Sequence, residues 1–170
     1  SLDESVTDFN KKHSDTIITK WVDKVFKEHK SWPDDITPRR LLSHTAGLDT
    51  HGIANKPWLP SSDPLKGVIL GRNLAHDAVK PIHEPGTKYD YSGGGYTVAE
   101  AMLEIATDKR FETYLHQNVL EPYGMNNSTF EDGSSDMVHL ARGCSRGVCL
   151  YDVQVSELKA AGGLLCHPVD

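Results

Sequence analysis

The sequence predicts an α+β fold that is mainly helical and carries one short β-hairpin near its C-terminal end. Apolar residues recur at helical spacing as far as about residue 125, and helix-capping residues stand before several of these segments. Beyond Phe130, glycine and serine accumulate around a short apolar run that is typical of a strand. A chain of 170 residues is long enough to form one domain with its own core.

The first predicted helix covers residues 16–29, where six apolar residues at helical spacing form one face: Ile17, Ile18, Trp21, Val22, Val25 and Phe26. A second, short helix follows, because Thr37 is a good N-cap and Pro38 suits the first helical turn. This helix is expected to end near His44. There the imidazole would interact with the helix C-terminus, where a partly positive ring is favoured.

Three further helices are predicted by similar signals. Asp63 and Pro64 repeat the combination of cap and proline and begin a helix to about Asn73. Thr97, with Glu100 three residues later, predicts a capping box before the apolar face formed by Val98, Ala101, Met102 and Ile105. A last helix follows Lys109, has Phe111, Tyr114, Leu115 and Val119 on its inner face, and ends at Glu121–Pro122. Residues 49–60 lack periodicity and are interpreted as a long loop bordering a pocket.

The hairpin prediction depends on residues 147–151, which form the short apolar run. Cys144 and Cys149 flank a Ser-Arg-Gly-Val sequence that suits a hairpin loop. Cysteines that face each other across two strands can form a disulfide if their Cα separation allows it. A Cys144–Cys149 disulfide and a pair of free, buried thiols both remain open.

Composition and spacing exclude several classes of function. The net charge is −6 and the basic residues are scattered, so no cationic stripe is available for nucleic acid. No apolar run approaches the length of a membrane span, and no targeting signal is visible at the N-terminus. The histidines and cysteines show no metal-ligand spacing, and the glycines match no phosphate-binding pattern. We therefore expect no metal ion, cofactor or nucleic acid as a partner.

The stretch PGTKYDYSGGGYTVAEAM, residues 85–102, is the most unusual part of the chain. Three consecutive glycines directly before a predicted helix indicate a tight turn or a wall that another molecule approaches closely. A tyrosine at such a turn, Tyr91, is a candidate proton shuttle if a lysine lowers its pKa. No Gly-x-Ser-x-Gly nucleophile motif occurs in the chain.

Four ordered segments carry a family resemblance: residues 36–48 (ITPRRLLSHTAGL), residues 85–96, residues 121–130, and residues 160–164 (AAGGL). Together they resemble the penicillin-recognising serine hydrolases of the class C β-lactamase, D-Ala-D-Ala carboxypeptidase and esterase type. The resemblance implies a β-lactamase/transpeptidase-like fold. Residues 1–170 would then form a single partial domain, mainly the helical region of that fold.

The resemblance also implies roles for individual residues. Tyr91 corresponds to the proton shuttle, while Ser92, Gly93, Gly162 and Gly163 are expected to line the substrate cleft. The family's Ser-x-x-Lys nucleophile motif would lie before Ser1, and its Lys/His-x-Gly motif is not in this chain, so the chain alone is expected to be inactive. The Ser-x-x-Lys at Ser156–Lys159 stands where the family has no nucleophile, and we expect a polar loop there.

One departure from the family pattern affects the function. The lactamases usually have Tyr-x-Asn in their second motif, whereas Gly93 occupies the third place here and offers only backbone groups. Two functions follow as expectations: acyl-enzyme hydrolysis of a β-lactam, a peptidoglycan-like peptide or an ester, or a non-catalytic binding or regulatory module. The resemblance further implies a secreted, periplasmic or envelope location, which a Cys144–Cys149 bridge would suit.

Overall fold

The computed structural model describes residues 1–51, 63–71, 77–130, 143–145, 148–151, 158–166 and 168–170, and only the backbone at 143–145 and 148–151. Within this part of the chain the helices in order are α1 (Val6–Lys12), α2 (Ile17–Val25), a 3-10 helix (Trp32–Asp34), α3 (Pro38–Leu42), α4 (Pro64–Ile69), α5 (Gly93–Thr107), α6 (Phe111–Leu115) with a π-helical continuation (His116–Leu120), and α7 (Lys159–Gly162). Two short strands, β1 (Gly143–Ser145) and β2 (Val148–Tyr151), precede α7.

The two N-terminal helices differ from the prediction. Helix α1, which was not predicted, is capped by Ser5 and buries only Val6 and Phe9, so its apolar signal is weak. Helix α2 ends at Val25 rather than at residue 29. Phe26 is nevertheless buried, with its ring edge-on to the buried Trp21, whose indole N–H donates to the Val79 carbonyl at 2.7 Å.

The predicted starts of α3 and α4 are confirmed. The side chain of Thr37 accepts from the backbone N–H of Arg40, and proline occupies the first turn. Asp63 caps α4 in the same way by accepting from the N–H of Lys66. Helix α4 ends at Ile69, earlier than predicted, and residues 72–76 lie outside the described residues. Local capping chemistry was therefore enough to locate both helix starts.

The predicted start of α5 is wrong by five residues. The helix begins at Gly93 rather than after Thr97, and its N-cap is Ser92. The three glycines have helical backbone and form the first turn of α5 instead of a tight turn before it. Thr97 is not a cap, because its hydroxyl donates to the carbonyl of Gly93 within the helix at 3.1 Å.

Helix α5 is the central element of the described part of the chain. It packs against α2, α3, α4, α6 and α7. Its buried residues Val98, Ala101 and Met102 join one hydrophobic core with residues from other helices and from the segments between them, including Ile18, Trp21, Leu41, Leu48, Ile69 and Val79. None of the described helices is both long and apolar enough to cross a membrane.

Strands β1 and β2 pair in antiparallel fashion, with Cys144 opposite Cys149. Residues 146–147, which would form the turn of a hairpin, and the cysteine side chains lie outside the described part of the chain. The hairpin and the Cys144–Cys149 disulfide therefore stay predictions. The predicted loop at residues 49–60 is described only as far as His51.

The loop after α3 is docked against the segment that leads into α5. The carbonyl of Gly47 accepts from the N–H groups of Ile82 and His83, at 2.8 and 3.2 Å. Asp49 then exchanges two hydrogen bonds with Lys80: its N–H donates to the Lys80 carbonyl at 2.9 Å, and its carboxylate accepts from the Lys80 N–H at 2.7 Å. Gly47 has a φ of +69°, and a Cβ there would lie 2.1 Å from the His83 carbonyl oxygen. Only glycine fits this close approach.

We predict that Gly47→Ala destabilises the protein much more than Gly124→Ala. Both glycines have positive φ, at +69° and +73°, which costs about 1–2 kcal/mol for a residue with a Cβ. At Gly124 the added methyl group meets nothing within 4 Å, whereas at Gly47 it clashes with the backbone of His83. Urea unfolding should show an additional loss of at least about 2 kcal/mol for Gly47→Ala. Equal losses for the two variants would contradict this account of the loop.

Candidate active site

Tyr91 lies two residues before Gly93, the first residue of α5, and its side chain is at the surface. It is 45% exposed, and its ring packs against that of His44 with centroids 4.4 Å apart. Among the described residues, none forms a hydrogen bond with the Tyr91 hydroxyl group. The side chain is therefore partly accessible, while its ring is in contact with His44.

His44 contacts the Tyr91 segment through its ring nitrogen. Its Nδ1 atom accepts a hydrogen bond from the backbone N–H of Ser92 at 3.1 Å. An accepting Nδ1 carries a lone pair, so the ring is the neutral tautomer with its proton on Nε2. The sequence-based interpretation of His44 as a partly positive group at the C-terminus of α3 is wrong, because the imidazole serves instead as an acceptor for a distant backbone N–H.

The Ser92 hydroxyl is fully engaged in holding the backbone. It accepts from the N–H of Gly95 at 2.9 Å, which caps α5, and it donates to the carbonyl of Asp49 in a short hydrogen bond. The residue is only 3% exposed. Ser92 is therefore the N-cap of α5, and its buried hydroxyl does not suit a nucleophile.

The glycine run has a packing explanation in this structure. Gly93, Gly94 and Gly95 are all buried. A Cβ on Gly94 would lie 2.8 Å from a Val79 methyl group and 2.9 Å from the Cβ of Thr50. Glycine at this position lets the first turn of α5 approach the chain segments at residues 50 and 79. The contribution of Gly93 to a substrate cleft stays a prediction.

Charged side chains surround Asp90, the residue before Tyr91. Its carboxylate contacts Lys88 Nζ at 3.3 Å, His83 Nε2 at 3.1 Å and His51 Nε2 at 3.4 Å. The hydrogen bond from Lys88 is the main reason that the pKa of the Asp90 carboxyl is below its usual value. From the sequence we expected a lysine beside the Tyr91 hydroxyl. Within the described residues, Lys88 instead contacts Asp90 and His83 and not that hydroxyl.

Gly162 and Gly163 lie at the C-terminal end of α7, apart from Tyr91. A Cβ on Gly163 would lie 2.7 Å from the Cα of Lys159, so glycine is required there, whereas Gly162 faces open space. No contact given for the described residues joins either glycine to Tyr91. The structure thus brings Tyr91, Ser92 and Gly93 together, and it places the second pair of predicted cleft glycines on a separate element.

Glu100 connects helix α5 with helix α7, a contact that was not predicted from the sequence. Its buried carboxylate accepts from the backbone N–H groups of Lys159 at 3.3 Å and Ala160 at 2.8 Å, and so caps α7 from a neighbouring helix. The predicted capping box with Thr97 is therefore wrong. Burial raises the pKa of the Glu100 carboxyl from 4.5 to about 7, although the two N–H donors act in the opposite direction. The sequence did contain one signal for this contact: the residue before α7 is Leu158, whose side chain does not cap the helix, so the cap must come from elsewhere.

The alternative Ser-x-x-Lys at residues 156–159 is only partly described. Ser156 lies outside the described residues. Lys159 is the first residue of α7 and is buried, so the polar loop expected there does not extend to it. Nothing in the described part of the chain joins this motif to Tyr91.

A match to a protein-family model shows which family the chain belongs to. The family model for β-lactamases matches residues 1–164. The chain belongs to the β-lactamase family. This confirms the resemblance to the penicillin-recognising serine hydrolases that was based on four short segments of sequence.

Individual relatives of this β-lactamase-family chain are distant. Beta-lactamase-like protein 4 from Dictyostelium discoideum is 28% identical over 137 residues, which cover 76% of this chain and 22% of that protein. A class C β-lactamase superimposes with a TM-score of 0.63 at 19% identity, covering 96% of this chain and 39% of that one. D-amino acid amidase from Ochrobactrum anthropi SV3 also gives 0.63, at 21% identity, covering 99% and 45%.

These similarities establish the β-lactamase/transpeptidase-like fold. The chain spans less than half of the length of each of these three relatives. The relatives therefore support membership of a hydrolase family, and the activity of the whole protein is treated below as a proposal.

We predict that Glu100 makes stability depend on pH between about 4.5 and 7. Because its pKa is raised on folding from 4.5 to about 7, the folded state holds a proton that the unfolded state releases. The resulting stabilisation is complete below pH 4.5 and is lost as the pH rises through about 7. Relative to Glu100→Gln, which cannot titrate, the wild type should lose on the order of 3 kcal/mol across this range.

The measurement is urea unfolding of both proteins at pH 4.5, 6 and 8. Glu84→Gln, a change at an exposed carboxyl, is the matched control and should follow the wild-type profile. If the profile of Glu100→Gln also runs parallel to that of the wild type, the buried carboxyl does not titrate as described.

Proposed function

We propose that this chain forms the central part of a serine hydrolase that acts through an acyl-enzyme on an ester or amide substrate. The supporting observation is the placement of Tyr91 in a chain of this family. Its side chain is 45% exposed, while the residues on both sides are tied to His44: the Asp90 N–H donates to the His44 carbonyl at 2.8 Å, and the Ser92 N–H donates to Nδ1. A partly exposed tyrosine on a fixed backbone suits a group that transfers protons.

In the proposed reaction, a serine outside this chain attacks the substrate carbonyl. A serine hydroxyl is a weak nucleophile, and the family's Ser-x-x-Lys lysine would keep Tyr91 partly ionised so that it accepts the serine proton. The new Oγ–C bond forms, the bond to the leaving group breaks, and Tyr91 passes the proton to the departing oxygen or nitrogen. Water then hydrolyses the acyl-enzyme by the reverse proton transfer. Backbone N–H groups would stabilise the oxyanion.

We place Ser92, Gly93, Gly162 and Gly163 on the cleft wall of the complete hydrolase. Gly93 has no side-chain amide that would hydrogen-bond an amide substrate, which favours an ester over a β-lactam or a D-Ala-D-Ala peptide. Among the small or peptidoglycan-like acyl compounds expected as substrates, the proposal therefore favours a small ester, and the chain's main partner is the rest of the hydrolase fold. A secreted, periplasmic or envelope location belongs to the same proposal.

A second candidate is a non-catalytic module that keeps the fold for binding or regulation. Gly93 is the observation that favours it, because the family's second motif then lacks its amide side chain. The two candidates differ in one measurable property, which is whether Tyr91 affects turnover.

We predict that Tyr91→Phe in the complete hydrolase lowers kcat/KM for p-nitrophenyl acetate by about 100-fold or more, the usual contribution of a general acid–base group. The melting temperature should hardly change, because no described residue hydrogen-bonds the Tyr91 hydroxyl. Tyr89→Phe is the matched control, since Tyr89 lies on the same segment and is 64% exposed. If Tyr91→Phe turns over the substrate as fast as the wild type, Tyr91 is not the proton shuttle. If the wild type itself shows no turnover, the binding module is favoured.

We also predict that the purified 170-residue chain, without further sequence, turns over neither nitrocefin nor p-nitrophenyl acetate. The physical reason is that no serine in the chain occupies the family's nucleophile position. Spectrophotometric assays of the chain and of its Tyr91→Phe variant test this. Turnover that disappears in Tyr91→Phe would show that the chain contains its own nucleophile.

A further inference from the structure

His44 takes no part in the proposed proton transfer, yet it contacts Tyr91 and the residues on both sides of it. Its ring covers one face of the Tyr91 ring, with centroids 4.4 Å apart and an interplanar angle of 36°. Its carbonyl oxygen accepts from the N–H of Asp90 at 2.8 Å, and its Nδ1 accepts from the N–H of Ser92 at 3.1 Å. The backbone N–H groups of the two residues that flank Tyr91 therefore both donate to His44.

The conformation of His44 is itself held in place. Its φ of +56° lies in the left-handed region, which most residues with a Cβ avoid. Its N–H donates to the carbonyl of Leu41 at 3.3 Å at the end of α3. The ring of Tyr96 stacks on the imidazole at 5.0 Å, and the Tyr96 hydroxyl donates to the Leu42 carbonyl at 2.9 Å. The imidazole thus packs against the rings of Tyr91 and Tyr96 and meets the ring of Tyr89 edge-on at 5.8 Å, on a fixed backbone.

We infer that His44 is a positioning residue that sets the direction of the Tyr91 hydroxyl. This inference rests on the proposed function of Tyr91 as the proton shuttle. The accepting Nδ1 fixes the backbone at Ser92, and the imidazole face restricts the rotation of the Tyr91 ring, which is otherwise 45% exposed. Small errors in the placement of a reacting group are costly, since a shift of about 1 Å can lower a rate by about 100-fold.

The same geometry argues against a direct catalytic role for His44. Its Nδ1 lone pair is already used by the Ser92 N–H, and its other nitrogen carries the proton. A base needs a free lone pair that reaches the substrate. His44 therefore acts through Tyr91 and through the backbone that carries it.

Two substitutions in the complete hydrolase separate the contributions of the His44 side chain. His44→Asn retains an acceptor, because Asn Oδ1 occupies the same place along the side chain as His Nδ1, and asparagine tolerates positive φ. His44→Gly also tolerates the φ of +56° but removes both the acceptor and the ring. Backbone strain is therefore similar in the two variants, both lack the imidazole ring that packs on Tyr91, and they differ in the acceptor for the Ser92 N–H.

We expect His44→Gly to lower kcat for p-nitrophenyl acetate by about 10-fold or more with KM changed less than about 3-fold. Amide hydrogen exchange at Ser92, followed by mass spectrometry, should become at least about 10-fold faster, because the N–H loses its acceptor. His44→Asn should keep Ser92 protected and restore the part of kcat that depends on the acceptor, although it lacks the ring. Loss of kcat in His44→Asn equal to that in His44→Gly, with Ser92 still protected, would overturn the role of the acceptor.

Tyr91→Phe, measured in parallel, distinguishes failure of this inference from failure of the proposed function. If Tyr91→Phe abolishes turnover while His44→Gly leaves kcat unchanged, the inference is wrong and the proposed function stands. If Tyr91→Phe is fully active, the proposed function fails, and the positioning role fails with it. Should His44→Gly not fold, NMR of the 15N-histidine-labelled wild type decides: the Nε2–H tautomer of His44 is expected, and the Nδ1–H tautomer would overturn the inference.

Discussion

The buried hydroxyl group of Ser92 makes the two hydrogen bonds on which the candidate site depends. By accepting from the Gly95 N–H it begins α5, and by donating to the Asp49 carbonyl it fastens that helix start to the loop after α3. An N-cap contributes about 1 kcal/mol to a helix. Here the Ser92 hydroxyl oxygen also fixes the position of the loop after α3. Tyr91 directly precedes Ser92 in the chain. The position of the proposed proton shuttle therefore follows from the way α5 begins.

Helix α5 also links Ser92 to the second pair of predicted cleft residues, Gly162 and Gly163. Glu100 lies eight residues after Ser92, or about 12 Å along the helix, and its carboxylate caps α7, the helix that leads to Gly163. The two segments that the family resemblance assigns to the cleft are thus related by one rigid helix. A buried carboxylate is costly unless hydrogen-bonded, so its use here ties the position of α7 closely to that of α5.

The sequence predicted those parts of the fold whose causes are local. Thr37 and Asp63 cap helices with their own side chains, so the signal lies within a few residues of its effect. Helix α1 was missed because only two of its residues are buried. Its stability depends on contacts with distant parts of the chain, which periodicity does not reveal.

The errors at the candidate site have a common physical reason. Glu100 matched a local capping box, but its carboxylate binds N–H groups about sixty residues away. His44 looked like a group at a helix end, yet its ring accepts from Ser92. The glycine run indicated a turn, whereas close packing on Val79 explains Gly94 within a helix. In each case a tertiary contact replaced the local interaction that the residue type suggested.

The proposed proton transfer between Tyr91 and the nucleophilic serine can be tested by a crystal structure of the complete hydrolase with a boronic acid bound to that serine. We expect the Tyr91 hydroxyl within about 3 Å of the serine Oγ, the distance needed for proton transfer. We also expect the Ser92 N–H to donate to His44 in that structure. A Tyr91 hydroxyl directed away from the adduct, with another side chain in hydrogen-bonding contact with Oγ, would contradict the claim.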